Sequence, residues 1–228
     1  KDYAPQKIHE KALAFLTENQ EGPFFMYYAS PLPHLPLQAP KAAVDAYQGS
    51  FGEEAPYLGD KGYFLARYPK ATYAAMIESL DECCGRVLEA ARQHLEGPTL
   101  VVYTSDHGDH VGERGLFWKH TFFEESAAIP MVMRLPGVLP AGERRGEVVS
   151  LVDLSQTMLE AVGAPLLPNA DGRSFWQVAK GGGDWRSETF AEYCTDAVPY
   201  WTGGRAVHQR MVRSGRYKLV VFDEEPPL

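Results

Sequence analysis

The chain has 228 residues, 45% of them apolar and 12% aromatic, enough to bury the core of one large domain or of a main layer with a small appendage. With 22 basic against 30 acidic residues the formal net charge is −8, which argues against a nucleic-acid or anionic-membrane surface, since both reward a basic face. Apolar runs such as 100–103 fall far short of the roughly 20 residues that span a bilayer, so no membrane span is expected.

The start, Lys1-Asp2-Tyr3-Ala4-Pro5, carries no apolar signal core, which leaves either a removed leader or a beginning inside a larger protein. Ile8, Ala12, Phe15 and Leu16 then follow a helical period that ends in the polar turn 19–22. Residues 24–29 form a short aromatic and apolar run between Gly22-Pro23 and Pro31, the pattern of a strand buried on both faces. Pro31, Pro33, Pro36 and Pro40 remove backbone donors and make the next segment an ordered loop.

Residues 48–68 mix Gly, Pro, charge and the aromatics Phe51, Tyr57, Tyr63, Phe64 and Tyr68 without a period, as a long surface excursion would. Met76, Ile77, Leu80, Cys84, Val87, Leu88, Ala91 and Leu95 repeat at three and four residues, the clearest helix in the chain, stopped by Gly97-Pro98. A second buried strand at 99–104 completes a strand–helix–strand unit of the kind that builds parallel sheets. The expected fold class is α/β, with a predominantly parallel sheet flanked by helices.

A third strand is expected at 131–134, and Asp153 is placed to cap a helix over 154–162 with Gly163 past its end. From Glu188 onward the pattern turns to short strands, and 210–222 reads as a hairpin turning at Ser214-Gly215. The run Gly181-Gly182-Gly183 suggests a flexible joint, which divides the chain into an α/β domain over 1–180 and a small antiparallel part over 184–228. Cys83, Cys84 and Cys194 make no disulfide framework.

Three segments carry chemistry. Asp106 and His107, in Ser105-Asp106-His107-Gly108, follow a strand at the carboxyl edge where open α/β sheets collect ligands; a hard oxygen beside an imidazole nitrogen is half of a divalent-metal site, although a capped turn uses the same residues. His34, held between prolines in Pro31-Leu32-Pro33-His34-Leu35-Pro36, has the restricted backbone of a side chain that meets a substrate oxygen at fixed distance, although a loop histidine satisfied by backbone has the same surroundings. Lys119, in Phe117-Trp118-Lys119-His120, is a compact positive charge suited to an anionic ester; alone it reads as a solvated lysine, and the case for it lies in the set.

Taken in order, PHLPLQAP after the first strand, TLVVYTSDHG, GLFWKHTFFEES before IPMVMRLPG, and the closing RMVRSGRYKLVVF resemble the sulfatase family of the alkaline-phosphatase superfamily over nearly the whole chain. The resemblance implies an incomplete alkaline-phosphatase-like fold and hydrolysis of sulfate esters. Asp106 and His107 would be metal ligands, with His34 on the bridging ester oxygen and Lys119 on a sulfate oxygen. The ion would be calcium, with manganese or magnesium as alternatives, and the nucleophile a formylglycine made from Cys or Ser in a C-x-P-S-R setting. No such motif occurs here, and the paired N-terminal aspartates of the family are absent, so this chain is expected to be a fragment without turnover, lacking the first strand and the nucleophile segment.

His107 departs from the usual asparagine and is similar to choline-sulfatase and phosphonate-monoester-hydrolase relatives, which keeps a phosphoester or phosphonate hydrolase open beside the sulfatase. A non-catalytic binding module is the third reading. The expected partner is a small-molecule or carbohydrate sulfate ester. Family analogy points to a periplasmic or secreted protein, with cytosolic relatives also, and the oligomeric state stays open. Tyr200-Trp201 would fill a core or stack on a sugar. His110, His120 and His208 lie near the motifs without a matching role.

Overall fold

The structure is a computed structural model that describes residues 4–59, 64–95, 97–195 and 207–223, which places Tyr63, Tyr200 and Trp201 outside the described residues. The chain divides into two compact units, one of Lys1–Thr99 with Asp109–Trp118 and the other of Leu100–Gly108 with Lys119–Leu228.

In the first unit the periodic segments form the expected helices α1 (Ala4–Glu18), which buries His9, Ala12 and Leu16, and α3 (Pro69–His94). Pro69 sits in the first turn of α3, where a missing N–H costs no helical bond. Glu54, from the surface excursion, accepts the N–H groups of Lys70 and Ala71 there, so a side chain far back in sequence caps the helix. A short helix, α2 (Lys41–Tyr47), follows the proline loop and was not expected. Leu32, Leu35, Leu37, Tyr57, Ala66 and Met76 form one core, and Ala12, Leu16 and Val87 another.

Residues 24–29 differ from expectation. They carry no strand ladder among the described residues, and burial alternates along them. Phe24, Met26 and Tyr28 pack against the core of α1 and α3, whereas Phe25 and Tyr27 are 73% and 82% exposed. An apolar run becomes a strand only when a neighbour shares its hydrogen bonds, and the described residues supply none at this place.

In the second unit, β1 (Val101–Thr104) pairs with β2 (Met131–Arg134) antiparallel, with Val101 opposite Arg134 and Thr104 opposite Met131. β3 (Glu188–Thr195), β4 (Val207–Ser214) and β5 (Tyr217–Phe222) make a second antiparallel sheet in that order. Every strand pairing among the described residues is therefore antiparallel, in place of the predominantly parallel sheet expected. Strand character was legible, but the direction of pairing depends on which neighbours are present. The hairpin falls where expected, with Gly215 at φ +54° in a two-residue turn that requires positive φ.

Between the sheets lie α4 (Glu124–Ala127), α5 (Leu151–Ala161) and α6 (Trp176–Ala179). α5 begins three residues before the expected start: Ser150 is its N-cap and Asp153 the third helical residue of a capping box. Asp153 is fully buried, accepting Ser150 N–H at 2.8 Å, Arg173 N–H at 2.9 Å and the Arg186 guanidinium. Gly172 packs so closely on Val152 that a Cβ would lie 1.8 Å from its carbonyl oxygen. The glycine run expected as a joint closes α6 with hydrogen bonds from Gly181 to Val178 and from Gly182 to Gln177.

Candidate functional site

Asp106, His107 and Lys119 come together in the second unit. β1 delivers Ser105 and Asp106 at its C-terminal end, and Ser105 Oγ donates to the His107 carbonyl at 2.7 Å, which fixes the turn. Gly108 then runs against the helix α4, donating its N–H to Ser126 at 2.8 Å. A Cβ at this position would stand 2.1 Å from the Glu125 carbonyl oxygen, so only glycine permits the approach.

His107 Nδ1 lies 2.7 Å from the Gly108 carbonyl, an acceptor, so Nδ1 carries the proton and Nε2 is the basic nitrogen of the neutral ring. This is how protein frameworks orient a ligating histidine. Nε2 lies 3.4 Å from Asp106 Oδ2 and 2.8 Å from Lys119 Nζ. The Lys119 ammonium donates to the imidazole lone pair, offsetting the repulsion between that lone pair and the nearby carboxylate. Asp106 is well exposed, with 81% of its side chain open to solvent, and His107 is half-buried.

Lys119 stands between Trp118 at φ +70° and His120 at φ +84°, both in the left-handed region that non-glycine residues rarely adopt. The second unit holds its side of this loop by three contacts from the C-terminal sheet. Gln209 Nε2 donates to the His120 carbonyl at 2.7 Å, the His120 and Tyr193 rings meet at 5.2 Å, and Lys218 donates to the Phe122 carbonyl at 2.7 Å while pairing with Glu124. Burial, then Lys119 and His107, lower the pKa of His120 below the ordinary histidine value, so it stays neutral beside the cluster.

His34 belongs to the first unit. Leu32, Leu35 and Leu37 turn into the core and leave His34 exposed between them, with its N–H donated to Pro31 at 2.8 Å and both the Leu32–Pro33 and Leu35–Pro36 peptides cis. Its Nδ1 faces the Leu35 carbonyl at 2.7 Å, so Nε2 is the basic nitrogen here too, and donation from Nε2 requires the imidazolium.

Sequence reasoning missed Asp109, whose Oδ1 accepts the N–H groups of Val111 at 2.9 Å and Trp118 at 3.1 Å and closes the loop 110–118. It also missed Gln209 and Lys218; the available signal was a buried glutamine in phase with Met211 on one face of β4. Among the described residues no group of three or more His, Cys, Asp or Glu is arranged to hold a metal, so Asp106 and His107 fit a cation as a pair of donors and no more. No described helix is long and apolar enough to cross a membrane.

Comparison with known proteins is consistent along the chain. Arylsulfatase K of Canis lupus familiaris is 32% identical over 190 residues, covering 68% of this chain and 35% of that protein, so the chain spans about a third of that relative's length. A protein solved in complex with its substrate D-Glucosamine-2-N,6-O-disulfate superposes with a TM-score of 0.81 at 20% identity, over 100% of this chain and 62% of that one, which shows a shared α/β fold. The phosphonate monoester hydrolase of Silicibacter pomeroyi gives a TM-score of 0.62 at 28% identity, over 70% and 34% of the two chains. The C-terminal family of N-sulphoglucosamine sulphohydrolase matches residues 112–227, and the Sulfatase family matches residues 1–164; the chain belongs to the sulfatase family.

Proposed function

We propose that this chain carries the charge-holding part of a sulfuric ester hydrolase. One observation supports it most: a carboxylate, an imidazole with its lone pair on Nε2, and an ammonium share one cluster at Asp106, His107 and Lys119. In this reading Asp106 Oδ2 and His107 Nε2 would hold a divalent cation, calcium first and manganese or magnesium after it, since a carboxylate is a hard donor and an imidazole suits the softer ions. When bound, the cation would supply positive charge toward a sulfate oxygen.

Lys119 moves from His107 to a sulfate oxygen when the ester arrives, offsetting charge that grows as the S–O bond breaks. A role for His34 on the bridging ester oxygen rests on the family resemblance alone; within its own unit the Leu35 carbonyl fixes the proton of the neutral ring on Nδ1 and leaves Nε2 as the basic nitrogen. The formylglycine nucleophile implied by the family resemblance has no Cys or Ser in a C-x-P-S-R setting within these 228 residues, so the isolated chain binds its ester without turning it over. A carbohydrate sulfate is the proposed substrate class, by extension from the sulfated glucosamine bound to the structural relative.

Calorimetric titration of the chain with an aryl sulfate in the presence of calcium tests this. Lys119→Ala and Asp106→Ala should each weaken binding about tenfold or more, and no aryl alcohol should be released. Binding that ignores both Lys119 and Asp106 would sink the reading. A phosphonate or phosphate monoester is the second reading, favoured by His107 and by likeness to the phosphonate monoester hydrolase. The same titration with an aryl phosphonate separates them by which ester binds more tightly.

A further inference from the structure

The C-terminal sheet places a thiol, an imidazole and a carboxylate in one row. Cys194 of β3 is directly opposite His208 of β4, and such pairs share a face with Cβ atoms about 4.5–5.5 Å apart. Asp223, one residue past β5, extends the ladder by donating its N–H to the His208 carbonyl at 3.0 Å, and its Oδ2 lies 3.4 Å from His208 Nδ1. The other face of β4 is buried through Gln209 and Met211, whereas Cys194 is exposed. In the next row Arg210 bonds Glu192 at 2.8 Å and Asp223 at 2.9 Å. Glu192 and Asp223 hold Arg210 above the ordinary guanidinium pKa.

We propose that Cys194 is a modification site, a nucleophilic thiol that takes a low-molecular-weight disulfide while His208 receives its proton and Asp223 holds the ring. With Nδ1 directed at the carboxylate, Nε2 is the nitrogen that accepts a proton from across the strands. The sulfur of Cys194 attacks one disulfide sulfur, the S–S bond breaks, and the departing thiolate takes up the proton from His208. One mixed disulfide and one free thiol result, with no further oxidant. Cys83 and Cys84 are half-buried on α3, and burial raises the Cys84 pKa, so neither matches this setting.

The test treats the 228-residue chain with limiting dithiobis(nitrobenzoate) and locates the adduct by peptide mass mapping. Cys194 should be labelled at least about tenfold faster than Cys83 or Cys84. His208→Gln should slow it about tenfold or more, and Asp223→Asn by a smaller factor. The loss in His208→Gln should shrink as the pH is raised, because hydroxide then takes the thiol proton in place of the imidazole, in a surround that also holds Asp223, Glu192 and Arg210. Equal labelling of all three cysteines, or unchanged Cys194 rates and pH profiles in both variants, would overturn the proposal. Asp223→Asn, exposed and outside the strand, keeps the test decisive if His208→Gln perturbs the sheet.

Discussion

The ammonium of Lys119 stands 2.8 Å from Nε2 of His107, the nitrogen whose lone pair a metal ion would use. A bound cation would therefore compete with the ammonium for one acceptor. Replacing Lys119 with Met should tighten calcium or manganese binding at Asp106 and His107 while weakening binding of a sulfate ester. Relief of like-charge repulsion at about 4 Å in a solvated site is worth about 1–2 kcal/mol, roughly tenfold in affinity. Isothermal titration of the variant with the metal alone, then with the ester, reads both changes; parallel loss of both affinities would show that Lys119 merely supports the fold.

Gly108→Ala should damage the site through the backbone. The added Cβ would meet the Glu125 carbonyl oxygen at 2.1 Å, so β1 or α4 must shift. Overpacking of this kind costs about 1–3 kcal/mol. A lower thermal midpoint, together with faster amide exchange at Gly108 and Ser126, is the expected signature, and an unchanged midpoint would contradict it.

Asp153→Asn should be the more severe change in the second unit. The carboxylate is 0% exposed and is the partner of Arg186, whose side chain keeps 22% of its exposure. Breaking a buried pair from one side costs about 3–5 kcal/mol because the remaining charge loses its counter-ion. The Ser150 and Arg173 N–H groups each need an acceptor in the same place, and an amide oxygen can serve only one side of the carboxylate. A fall in the urea midpoint measures it, and a cost within about 0.5 kcal/mol, typical of surface positions, would refute the assignment.

His9 makes the first unit acid-sensitive. It is 2% exposed, and neither ring nitrogen has a hydrogen-bond partner among the described residues. Burial, then Arg86, lowers its pKa, against smaller raising effects of Glu10 and Glu82. The unfolded chain binds this proton near the ordinary histidine value of about 6.5 and the folded chain only at lower pH, so the stability is present above about 6.5 and lost as pH falls toward the folded value. Urea midpoints near pH 7.5 and pH 5.5, about one unit either side of that value, should differ, and His9→Leu should shrink the difference. An equal difference in the variant would assign it elsewhere.

The helices α1 and α3, the strand segments β1 and β2, and the hairpin of β4 and β5 were all legible in the sequence, because their signals are local: a period of three to four, an apolar run between breakers, a glycine at a tight turn. Asp106, His107 and Lys119 were singled out for the same reason, and the structure brings these three side chains together. The segment 24–29 shows where local signals end. Its composition suits a buried strand, yet Phe25 and Tyr27 lie open because strand identity belongs to a pair of segments and not to one.

What only the tertiary structure decided is pairing and protonation. The antiparallel direction of β1 and β2, the seat of Gly108 against Glu125, and the anchoring of the 119–124 loop by Gln209 and Lys218 join residues up to 96 positions apart. The proton on His107 Nδ1 follows from a carbonyl 2.7 Å away, and the side on which Lys119 meets the ring follows from two left-handed residues around it. Sequence fixes which groups a chain can offer; distances of an ångström or two decide which of them share a proton or a charge, and those distances exist only after the chain has packed.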